Sequence, residues 1–254
     1  MVHIDAPMRT FLVAVQLMTR VPVTLREAPT DEELARAAAW FPLVGAGVGA
    51  IAAAAYYALA RAHLPSLAPW AALAAAVLVT GGFHEDGLAD SADGLFGGHD
   101  AARRLAIMRD SRLGSYGVLA LVLTLGAQVA AVAALPTALA LRTLVAAHAL
   151  GRAAALPLTL MPYARAEGGL GRPLAQRVPR WALGCALATG VAPLALLPWP
   201  LALAAAAAAG LVALGAARRL ARDLGGVTGD TLGAVVKLAE LSTYLVAAVW
   251  TARA

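Results

Sequence analysis

Three long stretches of the chain contain no charged residue, and this feature constrains the fold more than any other. They cover residues 37–60, 113–141 and 181–217. A helix needs about 20 apolar residues to cross roughly 30 Å of hydrocarbon, and each stretch is long enough. Charged residues make up 14% of the 254 residues, against about 25% in an ordinary soluble domain. The sequence therefore predicts an all-α, polytopic transmembrane helical bundle that forms one domain over residues 1–254.

Seven apolar segments are predicted to span the membrane. They cover residues 41–60, 67–83, 116–135, 138–160, 181–197, 201–217 and 233–252. Residues 10–25 are apolar but short and contain Arg20 and Pro22, which favours an N-terminal interfacial helix over a further span. The many alanines and glycines permit close approach of helices in lipid, although a compositional bias explains them equally well.

Basic residues are distributed unevenly among the segments that separate the predicted spans. With seven spans, fifteen of the twenty Lys and Arg residues fall in segments that share one side, namely 1–40, 84–115, 161–180 and 218–232. Because loops rich in Lys and Arg stay inside the cell, these segments are predicted to be cytoplasmic. The bases are dispersed, so they predict no nucleic-acid partner. The single Cys185 excludes a disulfide framework.

The segment directly after the second predicted span, residues 67–83, is rich in carboxylates. If residues 84–94 continue the preceding helix, Asp86, Asp90 and Asp93 fall at i, i+4 and i+7 and share one face. Neighbouring carboxylates repel one another and need protons or a cation, and oxygen ligands without cysteine favour Mg²⁺ over zinc. Because Mg²⁺ also binds substrate phosphates, the pattern predicts a phosphorylated or nucleotide-bearing substrate. The alternative is a solvated acidic helix end.

Arginines follow this acidic segment. Arg109 and Arg112 flank Asp110, and the planar guanidinium group is suited to phosphate oxygens. These arginines are therefore candidates to bind a diphosphate. Arg103 and Arg104 are candidates for the same role, but for them the alternative, that they anchor the chain at the cytoplasmic surface, is equally open.

A glycine-rich segment, residues 225–233, opens the last predicted span. The free N–H groups and the positive dipole end of a helix N-terminus suit an anion. Gly229 and Asp230 are therefore candidates for substrate binding, the alternative being that Asp230 is a plain N-cap.

Several ionisable residues lie within predicted spans, where they must be paired or face a polar cavity. Glu240 follows Lys237 and lies roughly 15 Å beyond Asp230 along a helix, so it is a candidate to line a substrate cavity. His148 is interpreted as a packed, hydrogen-bonded histidine, and Arg152 as a side chain that extends to the membrane surface.

Taken in order, these motifs resemble the cobalamin synthase family, the adenosylcobinamide-GDP ribazoletransferases. The resemblance extends over nearly the whole chain and is carried by FLVAVQLMTRVPV (11–23), FPLVG (41–45), HEDGLADSADG (84–94), IMRDSRLGSYG (107–117) and GVTGDTLGA (226–234).

This resemblance implies a Mg²⁺-dependent enzyme of the bacterial inner membrane, with active-site segments 84–117 and 223–240 in the cytoplasm. Such an enzyme joins adenosylcobinamide-GDP to α-ribazole or its 5′-phosphate and releases GMP. On this hypothesis Asp86, Asp90 and Asp93 bind Mg²⁺, and one of them accepts the proton of the attacking ribose hydroxyl. The expected partners of the protein are the two substrates and membrane lipid, and whether the chain forms a homo-oligomer is left open.

The remaining roles follow from the same hypothesis. Arg109 and Arg112 hold the diphosphate, Asp110 orients them or adds a ligand, and Gly229 and Asp230 complete the site.

Two other functions compete with this interpretation. A lipid enzyme related to the CDP-alcohol phosphotransferases also uses aspartates one helical turn apart, but it requires Asp-Gly-x2-Ala-Arg, whereas residues 86–90 read Asp-Gly-Leu-Ala-Asp. An ion-coupled transporter predicts carboxylates near the bilayer midplane and an internal repeat. Here the acidic residues cluster at one end of the spans, and no convincing repeat is found.

Overall fold

A computed structural model describes residues 6–164, 171–175 and 177–253, and its regular structure in these ranges is helical. The α-helices are α1 (Ala6–Met18), α2 (Asp31–Ala37), α3 (Phe41–Arg61), α4 (Ala68–Thr80), α5 (Phe83–Gly97), α6 (Ala101–Ile107), α7 (Ser115–Ala133), α8 (Thr137–Ala155), α9 (Arg180–Val191), α10 (Trp199–Leu224) and α11 (Gly229–Arg253). Short 3-10 turns at Ala38–Trp40, Leu156–Leu160 and Ala192–Leu196 join or extend them. The prediction of an all-α fold is confirmed.

Five helical segments are long and apolar enough to cross a membrane. They are Asp31–Arg61, Ser115–Ala133, Thr137–Leu160, Trp199–Leu224 and Gly229–Arg253. The other two predicted spans form α4, with 13 residues, and α9, with 12, both shorter than the roughly 20 residues that a perpendicular span needs. The prediction of several membrane-spanning helices is confirmed in this coarse form, whereas the count of seven is not.

The second apolar segment and the acidic segment form two helices rather than one. Between the end of α4 and the start of α5, Gly81 and Gly82 have φ angles of 69° and 71°, a left-handed region that glycine adopts without strain. The condition that residues 84–94 continue the preceding helix is therefore not met. These residues nevertheless all lie within α5, so the three predicted aspartates keep their helical spacing.

The N-terminal segment forms a short helix, α1, which ends before Arg20 and Pro22. Its 13 residues are too few to cross the hydrocarbon layer. The buried side chains Val13, Ala14 and Met18 pack α1 into a cluster that includes Phe41 at the start of α3. Its predicted location in the membrane interface stays a prediction.

Helix α8 is the central element and α10 is peripheral. In the segment Thr137–Leu160, 78% of the most apolar window is buried inside the protein, against 17% for Trp199–Leu224. Large apolar side chains such as Leu203 and Leu211 are exposed along α10. Because so much of the α10 surface is apolar, it is suited to lipid rather than to water.

Glycines allow α3 to pack against the backbone of α8. A Cβ atom at Gly49 would lie 2.6 Å from the carbonyl oxygen of Leu144, and a Cβ atom at Gly45 would meet the carbonyl oxygen of His148. Only glycine permits this approach, so the expectation that small residues bring helices together is confirmed for this pair.

We expect Gly49→Val to destabilise the protein by about 1–3 kcal/mol, because the added methyl groups push α3 away from α8. The matched control is Gly47→Val on the same helix, where an added Cβ meets nothing within 4 Å. The measurement is the unfolding midpoint of each detergent-solubilised variant. Equal midpoints for the two variants would contradict the close packing of α3 on α8.

Candidate active site

Two of the predicted site segments are in direct contact at one end of the bundle. Helix α5 packs against the first turn of α11, where a Cβ atom at Gly87 would lie 2.7 Å from the carbonyl oxygen of Asp230. A Cβ atom at Gly233 would lie 3.4 Å from the Cα of His84. The two glycines therefore let the backbones of α5 and α11 approach closely, and this brings the aspartates of α5 near Asp230.

The three aspartates of α5 differ in their surroundings. Asp86 is exposed, Asp90 is half-buried and Asp93 is buried. Among the residues that the structure describes, no three acidic, histidine or cysteine side chains form a group able to hold a metal ion. The predicted set of three carboxylates is thus not preassembled.

Asp93 caps the N-terminus of α7. Its Oδ2 accepts a hydrogen bond from the N–H of Gly114 at 2.8 Å, and its Oδ1 accepts one from Gly117 at 2.9 Å. A carboxylate at a helix N-terminus satisfies free N–H groups and interacts favourably with the helix dipole. Because both oxygens accept hydrogen bonds from backbone amides, Asp93 joins α5 to α7, and its role as a metal ligand stays a prediction.

The loop between α6 and α7 contains an ion pair between Asp110 and Arg112. The Nη2 of Arg112 donates to Oδ2 of Asp110 at 2.6 Å, and Nε donates to both oxygens at 3.0 and 3.1 Å. These hydrogen bonds lower the pKa of Asp110 to about 2. Asp110 is thus in position to orient Arg112. The side chains of Arg109 and Arg112 are exposed, and their role with a diphosphate stays a prediction.

Arg104 has a structural partner. Its Nη1 donates to the carbonyl oxygen of Asp223 at 3.1 Å, so it connects α6 to the end of α10. This contact gives Arg104 a role in packing α6 against α10, whereas Arg103 is exposed. Whether either arginine binds phosphate or anchors the chain at the cytoplasmic surface stays a prediction.

Thr228, rather than Asp230, caps α11. The hydroxyl of Thr228 accepts a hydrogen bond from the N–H of Thr231 at 3.2 Å, and the hydroxyl of Thr231 accepts one from the N–H of Thr228 at 2.9 Å. Asp230 lies in the first turn of the helix and is half-buried. The alternative that Asp230 is a plain N-cap is therefore not what the structure shows.

A network of buried charges lies directly behind the aspartates. The Nζ of Lys237 lies 2.7 Å from Oε2 of Glu240 and 3.0 Å from Oε1 of Glu85. Oε1 of Glu240 lies 3.1 Å from Nη1 of Arg152 and 2.9 Å from Nδ1 of His148. The network thus joins α5, α8 and α11.

This network corrects two predictions and confirms a third. Glu240 is 1% exposed and its charge is neutralised by Lys237 and Arg152, so its assignment to the lining of a substrate cavity is wrong. Arg152 is 2% exposed and does not extend to the membrane surface, because its partner lies inside the bundle. His148 is packed and paired, as predicted. Ionisable residues spaced one turn apart within apolar spans were the signal for this pairing.

A polar cleft of about 730 Å³ opens beside the start of α5. Asp86 and Glu85 line it together with Thr19 and Arg20, which follow α1. The side chain of Arg20 covers Gly81, and no ion pair joins it to another residue in the described ranges. Sequence reasoning used Arg20 only as evidence against a span, although its place in the FLVAVQLMTRVPV motif was a signal for function.

A second, apolar cavity of about 60 Å³ also lies at the start of α5, and Leu17 and Phe83 line both it and the cleft. Its walls come from α1, α3, α5, α8 and α11, and Gly229 is among the residues that line it. His84 and Arg152 are its nitrogen-bearing side chains. Burial, reinforced by the charge of Arg152, lowers the pKa of His84 well below its usual 6.5, so the imidazole is neutral.

Comparison with known proteins gives a match over nearly the whole chain. The family model described as cobalamin-5-phosphate synthase matches residues 10–248. A protein of Leptothrix cholodnii named adenosylcobinamide-GDP ribazoletransferase is 45% identical, with 95% of this chain and 96% of that protein covered. Proteins with the same name from Ralstonia nicotianae and Bradyrhizobium diazoefficiens are 42% and 41% identical, with 96% and 93% of this chain covered and 96% and 92% of theirs. No solved structure is detectably similar.

Removing the cap of α7 should affect stability. We expect Asp93→Ala to destabilise the protein by about 1–3 kcal/mol, because the N–H groups of Gly114 and Gly117 lose their acceptor. Asp86→Ala, at an exposed position of the same helix, should change stability by less than about 0.5 kcal/mol. Denaturant unfolding of both variants measures the difference, and an unaffected Asp93→Ala protein would show that the cap is dispensable.

We expect Lys237→Met to destabilise the protein by about 3–5 kcal/mol, since it leaves Glu85 buried without its cation. The double variant Lys237→Met/Glu85→Gln should recover part of this loss, because it removes the charge that is left unpaired, whereas Glu240 keeps Arg152 as its partner. Unfolding midpoints in detergent test both variants. A double variant less stable than the single one would contradict the pairing.

Proposed function

Because the chain belongs to the cobalamin-5-phosphate synthase family, we propose that it is an adenosylcobinamide-GDP ribazoletransferase. It joins adenosylcobinamide-GDP to α-ribazole or its 5′-phosphate and releases GMP. The match of residues 10–248 to the family model carries this proposal. The direct packing of the acidic segment of α5 against the start of α11 supports it.

The reaction is a phosphoryl transfer. The ribose 3′-hydroxyl oxygen of the acceptor forms a bond with the phosphorus that carries the corrinoid side chain. The bond from this phosphorus to the oxygen bridging to GMP breaks, and GMP leaves with the electron pair. The protein's main contributions to such a step are positioning of the reactants and neutralisation of negative charge.

Asp86, Asp90 and Asp230 are the carboxylates that we propose to bind Mg²⁺. Asp86 and Asp90 lie one turn apart on α5, and Gly87 between them contacts the backbone of Asp230. In this structure the three side chains are not gathered around one point, but Mg²⁺ takes few protein carboxylates and completes its shell with water and substrate phosphates, so two of them are enough. When bound, the ion neutralises charge on the diphosphate.

The other groups act on the substrates directly. Asp86 or Asp90 accepts the proton of the attacking hydroxyl. Arg20 in the cleft and Arg109 and Arg112 in the loop hold the diphosphate, because each offers a planar set of donors to phosphate oxygens.

For the membrane we propose the finer arrangement of seven spans in the bacterial inner membrane. In it α4 and α9 cross as short helices, α1 lies in the interface, and the site faces the cytoplasm. With seven spans, the four segments that hold most of the Lys and Arg residues all lie on one side of the membrane, and this supports the arrangement.

Purified protein in detergent should convert adenosylcobinamide-GDP and α-ribazole into a complete corrinoid and GMP. We expect EDTA to abolish turnover and added Mg²⁺ to restore it, because the diphosphate charge is otherwise not neutralised. Liquid chromatography of corrinoids and nucleotides measures both products. Absence of GMP release with both substrates and Mg²⁺ present would overturn the proposed function.

Variants of the same assay test the individual residues. Asp90→Asn should lower kcat at least about 100-fold, whereas Arg20→Ala should raise the KM for the GDP-bearing substrate about tenfold. Arg26→Ala removes another exposed arginine just after Arg20 in the chain and serves as the control. Equal kinetics for Arg20→Ala and Arg26→Ala would remove Arg20 from the site.

A further inference from the structure

We propose that the apolar groove between α10 and α11 binds an acyl chain of an anionic phospholipid, whose phosphate is held by the arginines at the end of α10. The groove has a volume of about 460 Å³, and its lining includes Leu211, Gly215 and Arg219 of α10 and Leu238 and Leu245 of α11. None of the carboxylates of the candidate active site lines it. The groove is therefore separate from that site, and the inference does not depend on the proposed function.

The walls of the groove are suited to hydrocarbon. Leu211 is 70% exposed and Leu245 is 44% exposed, and both helices are long and apolar enough to cross a membrane, so the groove faces lipid. Ser242 brings a hydroxyl to the lining, and this hydroxyl donates to the carbonyl oxygen of Ala239 at 2.8 Å. Apart from Arg219 at one end, the described lining side chains are thus apolar or satisfied, and they favour a chain of methylene groups.

A cluster of arginines lies at one end of the groove. Arg219 lines the groove, and its guanidinium group is held by the carboxylate of Asp223 and lies 5.8 Å from the centre of the Phe96 ring. Arg222 and Arg104 also contact the carboxylate of Asp223, at 2.8 and 3.7 Å. One carboxylate neutralises one of these three charges, so the cluster retains positive charge beside the groove.

Arg218 adds a further charge next to this cluster. Its side chain is exposed and forms no ion pair with another residue in the described ranges. The neighbouring Arg222 pairs with Asp223 but its side chain is 70% exposed. Guanidinium groups donate hydrogen bonds in a plane that matches phosphate oxygens, and arginines near the end of a spanning helix extend to the level of the headgroups. Both side chains are therefore available to a lipid phosphate.

The apolar walls and the arginines together select among the possible occupants. A free phosphate or a nucleotide binds arginine but gains nothing from the apolar walls. A zwitterionic phospholipid brings a second positive charge to a cluster that is already positive, which is unfavourable. A second copy of this chain, docked on the groove by two-fold symmetry, brings two such arginine clusters together. An anionic phospholipid such as phosphatidylglycerol fits both features, because it supplies acyl chains and a net negative headgroup.

The affinity of the purified full-length protein for two lipids tests this proposal. Native mass spectrometry in detergent measures the dissociation constants of dioleoylphosphatidylglycerol and dioleoylphosphatidylcholine, which carry the same acyl chains. We expect the anionic lipid to bind about tenfold more tightly or better. Glycerol 3-phosphate, which has the phosphate without the chains, should not displace the bound lipid. Equal affinities for the two lipids, or displacement by glycerol 3-phosphate, would overturn the proposal.

The variant Gly215→Leu fills the groove from α10. A Cβ atom at Gly215 meets nothing within 4 Å, so the leucine side chain fits without a clash inside the protein, and it favours the helix more than glycine does. We expect this variant to bind dioleoylphosphatidylglycerol about fivefold more weakly or worse. The matched control is Gly210→Leu on the same helix, where a Cβ also meets nothing within 4 Å and which lies outside the groove lining. Its affinity should stay within about twofold of the wild type.

The charged end of the groove is tested by Arg218→Gln/Arg219→Gln. This variant removes two charges, while Arg222 and Arg104 still pair with Asp223. We expect its affinities for the two lipids to differ by less than about twofold. A variant that keeps the wild-type preference for the anionic lipid contradicts the role of the arginines, and wild-type affinity in Gly215→Leu contradicts the groove. A wild-type dimer that Gly215→Leu dissociates, with no preference between the lipids, would assign the groove to a contact between copies instead.

Discussion

The pairing of Lys237 with two glutamates is the interaction on which the rest of the site depends. Lys237 of α11 lies between Glu240 on its own helix and Glu85 of α5, and Arg152 of α8 neutralises Glu240 from the other side. An unpaired charge in this interior is strongly unfavourable, so each helix has one favourable rotation about its axis. Because Glu85 directly precedes Asp86, this rotation also determines which face of α5 turns toward the cleft.

Backbone contacts then hold together the helices whose rotation the buried charges determine. Gly87 allows α5 to touch the first turn of α11, and Asp93 holds the N-terminus of α7 against α5 through two amide hydrogen bonds. The candidate site thus lies where three helices are fixed to one another by contacts that involve little side-chain freedom. Such rigidity is what transfer of a phosphoryl group between two bound molecules requires.

The sequence predicted the helices better than it predicted which side chains contact one another across them. Apolar runs and the spacing of Asp86 and Asp90 are local patterns, and they identified the all-α fold and the acidic helix face. The break between α4 and α5 was also readable, since Gly81 and Gly82 are adjacent glycines at the boundary. The capping contacts of Asp93 were not predicted because its amide partners lie 21 and 24 residues away, at the start of another helix. Ionisable residues in apolar helices indicated pairing, but 88 residues separate Arg152 from Glu240, so which residues pair is decided by the tertiary arrangement alone.

That separation has a consequence for the order in which the chain is made. Arg152 leaves the ribosome 88 residues before Glu240, so α8 is synthesised while its counter-charge does not yet exist. A lone guanidinium resists burial in hydrocarbon. Burial of Arg152 in the position seen here therefore requires α11 to be present.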